Sequence, residues 1–210
     1  MDSTIGIRYN ILFPYQDKLM YNDLKIDSES ISYISTCNQS RIITNIIKNI
    51  MKEYFLEPNE INITDMTAGV GGNTISFGLN FAHVNAIELD TMRTEYLRNN
   101  VSVYKLGNIT IINGDSVYCI EDINHDVIFI DPPWGGFAYK SQDKIRLTLG
   151  NIELEDLINL IMTGTINKII PKLVILKLPK NYDIEYLHHT IVADEINIQQ
   201  LKKMFIVSIR

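Results

Sequence analysis

Apolar residues along the chain follow two spacings, and the alternation between the two predicts an α/β fold. Between Ser40 and Phe55 they recur every three or four residues, which predicts an amphipathic helix that ends before Pro58. Similar patterns predict helices at residues 75–81, 91–103, 153–162 and 182–191. Short apolar runs predict strands at residues 61–65, 84–88, 109–113, 127–130 and 173–178, and a closing hairpin at 195–200 and 204–209. Strands that alternate with helices are typical of a parallel sheet.

The first 40 residues lack a clear period, and we expect them to form an extension that packs on the main domain. A short helix is predicted within them, from Leu19 to Leu24. No Pro-, Gly- or Ser-rich linker and no internal repeat divides the chain. We therefore expect an N-terminal extension at residues 1–40 and a single domain at residues 41–210.

Composition excludes several classes of protein. The chain has 210 residues, of which 46% are hydrophobic, and a net charge of −6, which argues against a broad, non-specific grip on nucleic acid. Cys37 and Cys119 offer neither metal-ligand spacing nor a disulfide framework, so we expect no metal and a reducing, intracellular location, in cytoplasm or nucleus. No run approaches the length of a membrane span, and we expect no membrane partner.

The predicted strand at 127–130 ends in an unusual stretch, Asp131-Pro-Pro-Trp134-Gly-Gly136. The prolines force the chain out of the sheet, and the glycines allow a sharp turn. An exocyclic amine on a purine needs its lone pair localised and aimed before it can attack a methyl donor. The Asp131 carboxylate and the Pro132 carbonyl can accept the amine hydrogens, while Trp134 can stack on the base. The alternative is a plain Pro-Pro turn with Trp134 in the core.

A second stretch, residues 65–74, joins a predicted strand to a predicted helix through a glycine-containing loop. Such a loop lets the backbone approach a nucleotide closely. The spacing lacks the third glycine of the dinucleotide pattern, so a simple tight turn remains the alternative. The candidate cofactor-binding residues of this stretch are Asp65, Thr67, Gly69, Gly71, Asn73 and Thr74.

Acidic residues follow the next two predicted strands. Glu88 lies about 20 residues beyond the glycine loop and is placed to accept hydrogen bonds from ribose hydroxyls, with Asp90 as the fallback or as a helix cap. Asp115 is placed to accept from an adenine amine, or else belongs to an ordinary turn. With Asp131, four successive strands carry Gly, Asp or Glu at ends that share one sheet edge. That coincidence predicts an enzyme with a nucleoside cofactor.

With these motifs together, the chain resembles trimethylguanosine synthases over nearly all of its length, most specifically at residues 69–75 and 131–136. The resemblance also covers Arg8 to Phe13, Leu24 to Glu29 and 178–183. It implies a doubly wound, mostly parallel seven-stranded sheet of the Rossmann-like class I methyltransferase type, with a short helical N-terminal extension. It further implies methyl transfer from S-adenosylmethionine to N2 of the 7-methylguanosine cap of RNA. We expect the protein to be a monomer. Trp134 would then stack on the cap base, and the substrate contacts would include Tyr139, Lys180 and Asn181.

The chain departs from the family pattern near residue 31, where a tryptophan is usual. Tyr33 is the candidate replacement as second wall of the base sandwich. The family's large extra N-terminal regions are also absent, so we expect a stand-alone catalytic domain of the kind a large DNA virus would encode. Two rival functions stay open. One is an N6-adenine or N2-guanine methyltransferase acting on internal RNA or DNA bases, and the other is an inactive cap-binding scaffold.

Overall fold

Nine strands and eight α-helices form the part of the chain, residues 9–17 and 21–210, that the computed structural model describes. The strands are β1 (Asn62–Asp65), β2 (His83–Glu88), β3 (Ile109–Asn113), β4 (Val127–Ile130), β5 (Thr148–Leu149), β6 (Ile152–Glu153), β7 (Leu173–Pro179), β8 (Ile196–Gln200) and β9 (Met204–Ile209). The helices are α1 (Tyr9–Leu12), α2 (Ser30–Tyr33), α3 (Cys37–Met51), α4 (Gly72–Gly78), α5 (Thr91–Val103), α6 (Ser116–Cys119), α7 (Leu154–Met162) and α8 (Ile184–Thr190). Short 3-10 helices lie at Tyr21–Asp23, Lys52–Tyr54, Pro58–Glu60 and Gly136–Ser141.

Seven of these strands make one sheet in the order β3-β2-β1-β4-β7-β9-β8. The first five in that order run parallel, and β9 runs antiparallel to both β7 and β8. The chain winds outward from β1 to β3 and then returns to place β4 on the other side of β1. The expected doubly wound, mostly parallel seven-stranded sheet is therefore confirmed. Sheets of this kind bind ligands where the winding reverses, at the carboxyl ends of the strands, which here means the ends of β1 and β4.

Both faces of the sheet are covered, and β4 shows how its sequence achieves this. Its four residues are fully buried: Val127 and Phe129 pack with α3 and α4, whereas Ile128 and Ile130 pack with α7. Successive side chains point to opposite faces, so a strand covered on both sides reads as a continuous apolar run. The α3, α4 and α5 helices cover one face, and the α6, α7 and α8 helices cover the other.

Several element boundaries differ from the sequence-based expectation. The α3 helix begins at Cys37 rather than Ser40, because the Thr36 side chain caps it in a reciprocal pair with Gln39. The α4 helix ends at Gly78, earlier than the apolar spacing to Phe81 suggests. The β5–β6 hairpin was missed, because strands of two residues carry no periodic signal.

The described N-terminal residues pack on the α5 side of the sheet. Phe13 and Leu24 are buried against Leu97 and Tyr104. The Asn100 amide in α5 bonds the backbone of Lys25 on one side and the Val70 carbonyl on the other. Of the predicted helix from residue 19 to 24, residues 19 and 20 lie outside the described chain, as does Arg8 of the N-terminal motif. Since α3 begins before residue 40, the boundary between extension and domain stays a prediction. No described helix is long and apolar enough to cross a membrane.

Candidate active site

Three carboxylates lie together where β1, β2 and β4 end, on the face covered by α3, α4 and α5. Asp65 and Glu88 are the last residues of their strands, and Asp131 directly follows β4. Asp65 is the register partner of Phe129, so its side chain shares a face with Asp131 two residues further on. The ends of these strands therefore meet at one edge, as the sequence predicts.

Asp65 is fully buried and braced by the loop that follows it. Its Oδ2 accepts a hydrogen bond of 2.7 Å from the Thr74 hydroxyl, and its Oδ1 accepts one of 3.2 Å from the Thr67 backbone N–H. Burial raises the pKa of Asp65 to about 7, and the neighbouring carboxylates of Asp131 and Glu88 add to the rise while the two hydrogen bonds oppose it. Asp65 therefore changes charge near neutral pH.

The glycine loop has the backbone shape that the sequence suggested. Gly69 and Gly71 have φ angles of +54° and +105°, a region that other residues rarely adopt. A Cβ at Gly69 would meet nothing within 4 Å, whereas one at Gly71 would lie 2.9 Å from Leu97 Cδ1. Gly69 thus borders open space, and Gly71 lets the loop pack on α5. Asn73 is buried, donates to the Ser35 hydroxyl at 3.0 Å, and has a side-chain oxygen without a partner among the described residues.

Glu88 ties the glycine loop to the turn after β2. Its Oε2 accepts from the Gly69 N–H at 2.7 Å, and its Oε1 accepts from the Asp90 N–H at 2.8 Å. Asp90 caps α5 by accepting a hydrogen bond from the Arg93 N–H at 2.8 Å. Helix capping is the alternative role that the sequence suggested for Asp90. Asp115 likewise caps α6, accepting from the Val117 N–H at 3.0 Å. The capping bond occupies one oxygen of Asp115, and its contact with adenine stays a prediction.

Asp131 has a charged partner that the sequence analysis missed. Ile130 is the register partner of Leu176, so the next residue of each strand, Asp131 and Lys177, lie side by side. Lys177 Nζ is 2.6 Å from Asp131 Oδ2, and the lysine is only 3% exposed. The Asp131 backbone N–H donates to the Thr67 hydroxyl at 2.8 Å, which fastens the loop after β1 to the loop after β4. A lysine inside the apolar run 173–178 was the signal available in the sequence.

Opposing effects set the charge of Asp131. Burial raises the pKa of its carboxyl above the ordinary value, because the side chain is only 16% exposed. The Lys177 ammonium opposes that rise, and the Trp134 indole N–H opposes it more weakly. That N–H lies near the carboxylate but makes no hydrogen bond of good geometry among the described residues. Asp131 therefore depends on its neighbours to stay ionised.

Trp134 is half-buried between the cores on the two sheet faces. Its ring lies 5.3 Å from that of Tyr139 in an edge contact at 84°, and Lys177 Nζ lies 5.1 Å from its ring centroid. Pro132 is buried and Pro133 is exposed, so the chain leaves the sheet between them. The indole thus stands beside the Asp131 carboxylate and shares its lysine.

The remaining substrate candidates lie on the segments that follow β4 and β7. Asn181 donates both amide hydrogens to the loop after β4, to the Tyr139 carbonyl at 2.7 Å and to the Gln142 carbonyl at 2.8 Å. Lys180 is exposed. Asn181 therefore shapes the loop that carries Tyr139, and direct contact of Asn181, Lys180 or Tyr139 with a substrate stays a prediction.

Tyr33 lies on the β2 side of the site rather than against Trp134. Its ring is 5.3 Å from the Arg93 guanidinium in α5, and its hydroxyl is 2.9 Å from that of Ser30. The tyrosine is 44% exposed. Its predicted role as a second wall for a base requires the ligand to reach from Trp134 to this side, and it stays a prediction.

Comparison with known proteins gives these residues a context. The family model described as RNA cap guanine-N2 methyltransferase matches residues 61–208. An uncharacterized protein of Acanthamoeba polyphaga mimivirus is 34% identical over 219 aligned residues, which cover 95% of this chain and 84% of that protein. The trimethylguanosine synthase of Saccharomyces cerevisiae is 28% identical over 200 residues, which cover 89% of this chain and 60% of that protein.

Solved structures show the same architecture. The Thermus thermophilus 16S rRNA N2 methyltransferase RsmC, in complex with AdoMet and guanosine, superposes with a TM-score of 0.57 at 12% identity. The match covers 89% of this chain and 43% of that one. At that identity the likeness shows the fold alone, which is the Rossmann-like class I methyltransferase fold.

Proposed function

We propose a reaction for this chain, which belongs to the RNA cap guanine-N2 methyltransferase family. The protein transfers a methyl group from S-adenosylmethionine to the exocyclic N2 amine of the 7-methylguanosine cap of RNA. S-adenosylmethionine-dependent methylation is the chemistry of the family and the fold. The cap as the acceptor is proposed from the residues of the site. The proposal rests on the partly exposed Asp131 carboxylate beside the Trp134 indole, at the strand end where the winding of the sheet reverses.

The residues around the glycine loop fit the cofactor. S-adenosylmethionine supplies an electrophilic methyl group on a cationic sulfur. The open side of Gly69 leaves room for it, and the unpartnered oxygen of Asn73 is a buried acceptor at the same loop. Glu88 is proposed to hold the ribose hydroxyls and Asp115 the adenine amine. The Glu88 carboxylate, together with the ionised fraction of Asp65, gives this edge a negative potential that suits a cationic ligand, while Lys177 offsets the charge of Asp131.

Asp131 and Pro132 are proposed to hold the acceptor amine. The amine lone pair is delocalised into the guanine ring, so the protein must orient the nitrogen rather than only bind it. The carboxylate accepts one N–H and the Pro132 carbonyl accepts the other, which aims the lone pair at the methyl group. As the nitrogen forms its bond to the methyl carbon, the carbon–sulfur bond would break with its electron pair on sulfur, and S-adenosylhomocysteine would leave. The Asp131 carboxylate would take the proton that the nitrogen gives up. The partly exposed side of Asp131 passes this proton to solvent.

Trp134 supports the choice of a cap rather than an ordinary guanine. Methylation at N7 makes the guanine ring cationic, and a cation is attracted to the face of an indole by about 0.5–2 kcal/mol. Lys180 and Tyr139 are proposed to contact the cap phosphates, with Asn181 holding their loop in place. Phosphate contacts serve methylated and unmethylated nucleotides alike, so Trp134 must supply the discrimination.

Methylation with isotope-labelled S-adenosylmethionine tests the acceptor directly. The substrates are one RNA sequence prepared with a 7-methylguanosine cap, with an unmethylated guanosine cap, and without a cap. After nuclease digestion, label is expected in the cap nucleotide of the first RNA, at N2. Label in internal guanosine or adenosine of all three RNAs would instead establish the internal-base alternative. Cofactor binding without label in any RNA would leave the scaffold alternative.

A further inference from the structure

Lys177 is a buried charge in a strand that is otherwise apolar. The other strand residues, Leu173–Leu176 and Leu178, are fully buried in the core. A lysine in this position costs free energy unless it is paired, because burial removes its water. Its ammonium donates a hydrogen bond of 2.6 Å to Asp131 Oδ2 and also lies over the Trp134 ring. The strand therefore carries Lys177 in order to meet the candidate amine-binding carboxylate.

The surroundings of Asp131 explain why it needs such a partner. From β1 it faces Asp65, a second buried carboxylate, which Glu88 of β2 approaches in turn. From its own loop it faces the Trp134 indole, on which Tyr139 packs with Lys140 beside it. Lys177 is the cation that β7 contributes. Burial favours the neutral acid, so within the described residues Lys177 is the main group that favours the anion.

We propose that Lys177 is a positioning residue of the methyl transfer: it keeps Asp131 ionised and fixes the carboxylate so that its free oxygen faces the acceptor amine. This inference rests on the proposed role of Asp131. An ionised carboxylate only accepts hydrogen bonds, so it grips an N–H donor with either oxygen. A protonated one presents an O–H that competes with the amine hydrogens and has no capacity to take a proton. Lys177 need not touch the substrate to have this effect.

The direct test measures the charge of Asp131 without any methyl acceptor. Protein with isotope-labelled aspartate carboxyl groups is titrated by nuclear magnetic resonance, and the Asp131→Asn variant assigns the resonance. In Lys177→Met and Lys177→Gln the Asp131 resonance should titrate at a clearly higher pH than in the unmodified protein. In Lys177→Arg it should stay close to the unmodified position, because the charge is kept. An Asp131 resonance that titrates alike in all four proteins would overturn the inference.

A matched control separates this effect from a general loss of charge. Lys172 precedes the same strand and pairs with Asp126 at the opposite edge of the sheet. Lys172→Met removes the same charge and should leave the Asp131 titration unmoved. If Lys177→Met does not fold, the double variant Asp131→Asn/Lys177→Met removes both members of the pair and restores a neutral core. If the double variant folds and the single variant does not, the single variant is destabilised by an Asp131 carboxylate without its partner. That result supports the pairing of Lys177 with Asp131.

Steady-state kinetics provide a second test of the role of Lys177. Lys177→Met should lower kcat about tenfold or more near neutral pH and recover part of it as the pH rises, since Asp131 then ionises without help. In an Asp131→Asn background, the same substitution should cause little further loss, because Lys177 acts through Asp131. Equal losses in both backgrounds would contradict the inference. If the cap is not the acceptor, the unmodified protein fails to methylate it while the titration still decides the role of Lys177.

Discussion

Replacement of Glu88 with glutamine is expected to weaken the binding of S-adenosylmethionine while the protein stays folded. Both carboxylate oxygens of Glu88 accept backbone hydrogen bonds, from Gly69 at 2.7 Å and from Asp90 at 2.8 Å. The glutamine side chain keeps one accepting oxygen and turns an N–H donor toward the other backbone N–H. The variant therefore loses one charge-assisted hydrogen bond and the negative charge that the ribose is proposed to meet.

The loss of affinity is that of the proposed charge-assisted contact with the ribose, and the loss of stability is that of one backbone hydrogen bond. A hydrogen bond to a charged group contributes about 1.5–3 kcal/mol, so the dissociation constant should rise by roughly tenfold to a hundredfold. The loop loses one of its anchors in the same variant, and the free energy of unfolding should fall by about 1–3 kcal/mol. Titration calorimetry measures the affinity, and urea unfolding measures the stability.

Asp90→Ala is the matched control, since Asp90 lies in the same turn and is the alternative ribose ligand. It removes the cap of α5 and should cost about 1 kcal/mol of stability with the affinity nearly unchanged. An unchanged affinity in Glu88→Gln would refute the assignment of Glu88. Lost affinity in Asp90→Ala alone would move the ribose contact to that residue.

Three further predictions concern the same edge of the sheet. The pKa of Asp65 is about 7 in the folded protein and about 4 in the unfolded chain. Its contribution to stability is therefore complete below pH 4 and is lost as the pH rises to 7. In urea unfolding, the free energy of unfolding of the unmodified protein should fall by about 1.4 kcal/mol per pH unit relative to that of Asp65→Asn in this window. A difference that stays constant with pH would contradict the raised pKa of Asp65. Gly71→Ala should destabilise the fold by about 1–3 kcal/mol in thermal unfolding, because residue 71 has a φ of +105°. Gly107→Ala should be nearly neutral, since a Cβ there would meet no atom within 4 Å. Equal effects of the two substitutions would contradict the strain at residue 71. In a binding assay, Trp134→Ala should lose the preference for 7-methyl-GTP over GTP, and Trp134→Phe should keep part of it. Both variants should still bind S-adenosylmethionine. An unchanged preference in Trp134→Ala would show that the indole does not recognise the cap.

The sequence allowed the sheet edge to be predicted because strand ends are visible in it. Apolar runs marked β1, β2, β3 and β4, and an acidic residue followed each run or ended it. Parallel strands place such residues at one edge whatever the details of packing. The Asp131 segment was recognisable for the same reason: two prolines after four apolar residues must leave the sheet.

The partners of these residues could not be predicted, because they depend on register and on side-chain direction. Lys177 meets Asp131 only because Ile130 pairs with Leu176, and a shift of one residue would have turned the lysine to the other face. Asn181 belongs to a motif that resembles a substrate contact, yet its amide hydrogens bond the loop that carries Tyr139. Tyr33 packs on Arg93 from a distant helix, a contact that neither spacing nor composition encodes.

The acceptor is proposed to be the N2 amine of an N7-methylated guanosine. The most direct test incubates the unmodified protein and S-adenosylmethionine with 7-methyl-GTP or with GTP, and follows both nucleotides by mass spectrometry. The mass of 7-methyl-GTP should increase by one or two methyl groups, with fragmentation placing them on N2, while GTP should be methylated about 2- to 30-fold less because its neutral ring is held less strongly by Trp134. Equal methylation of the two nucleotides, or of neither while internal RNA bases are methylated, would rule out the N7-methylated cap as the specific acceptor.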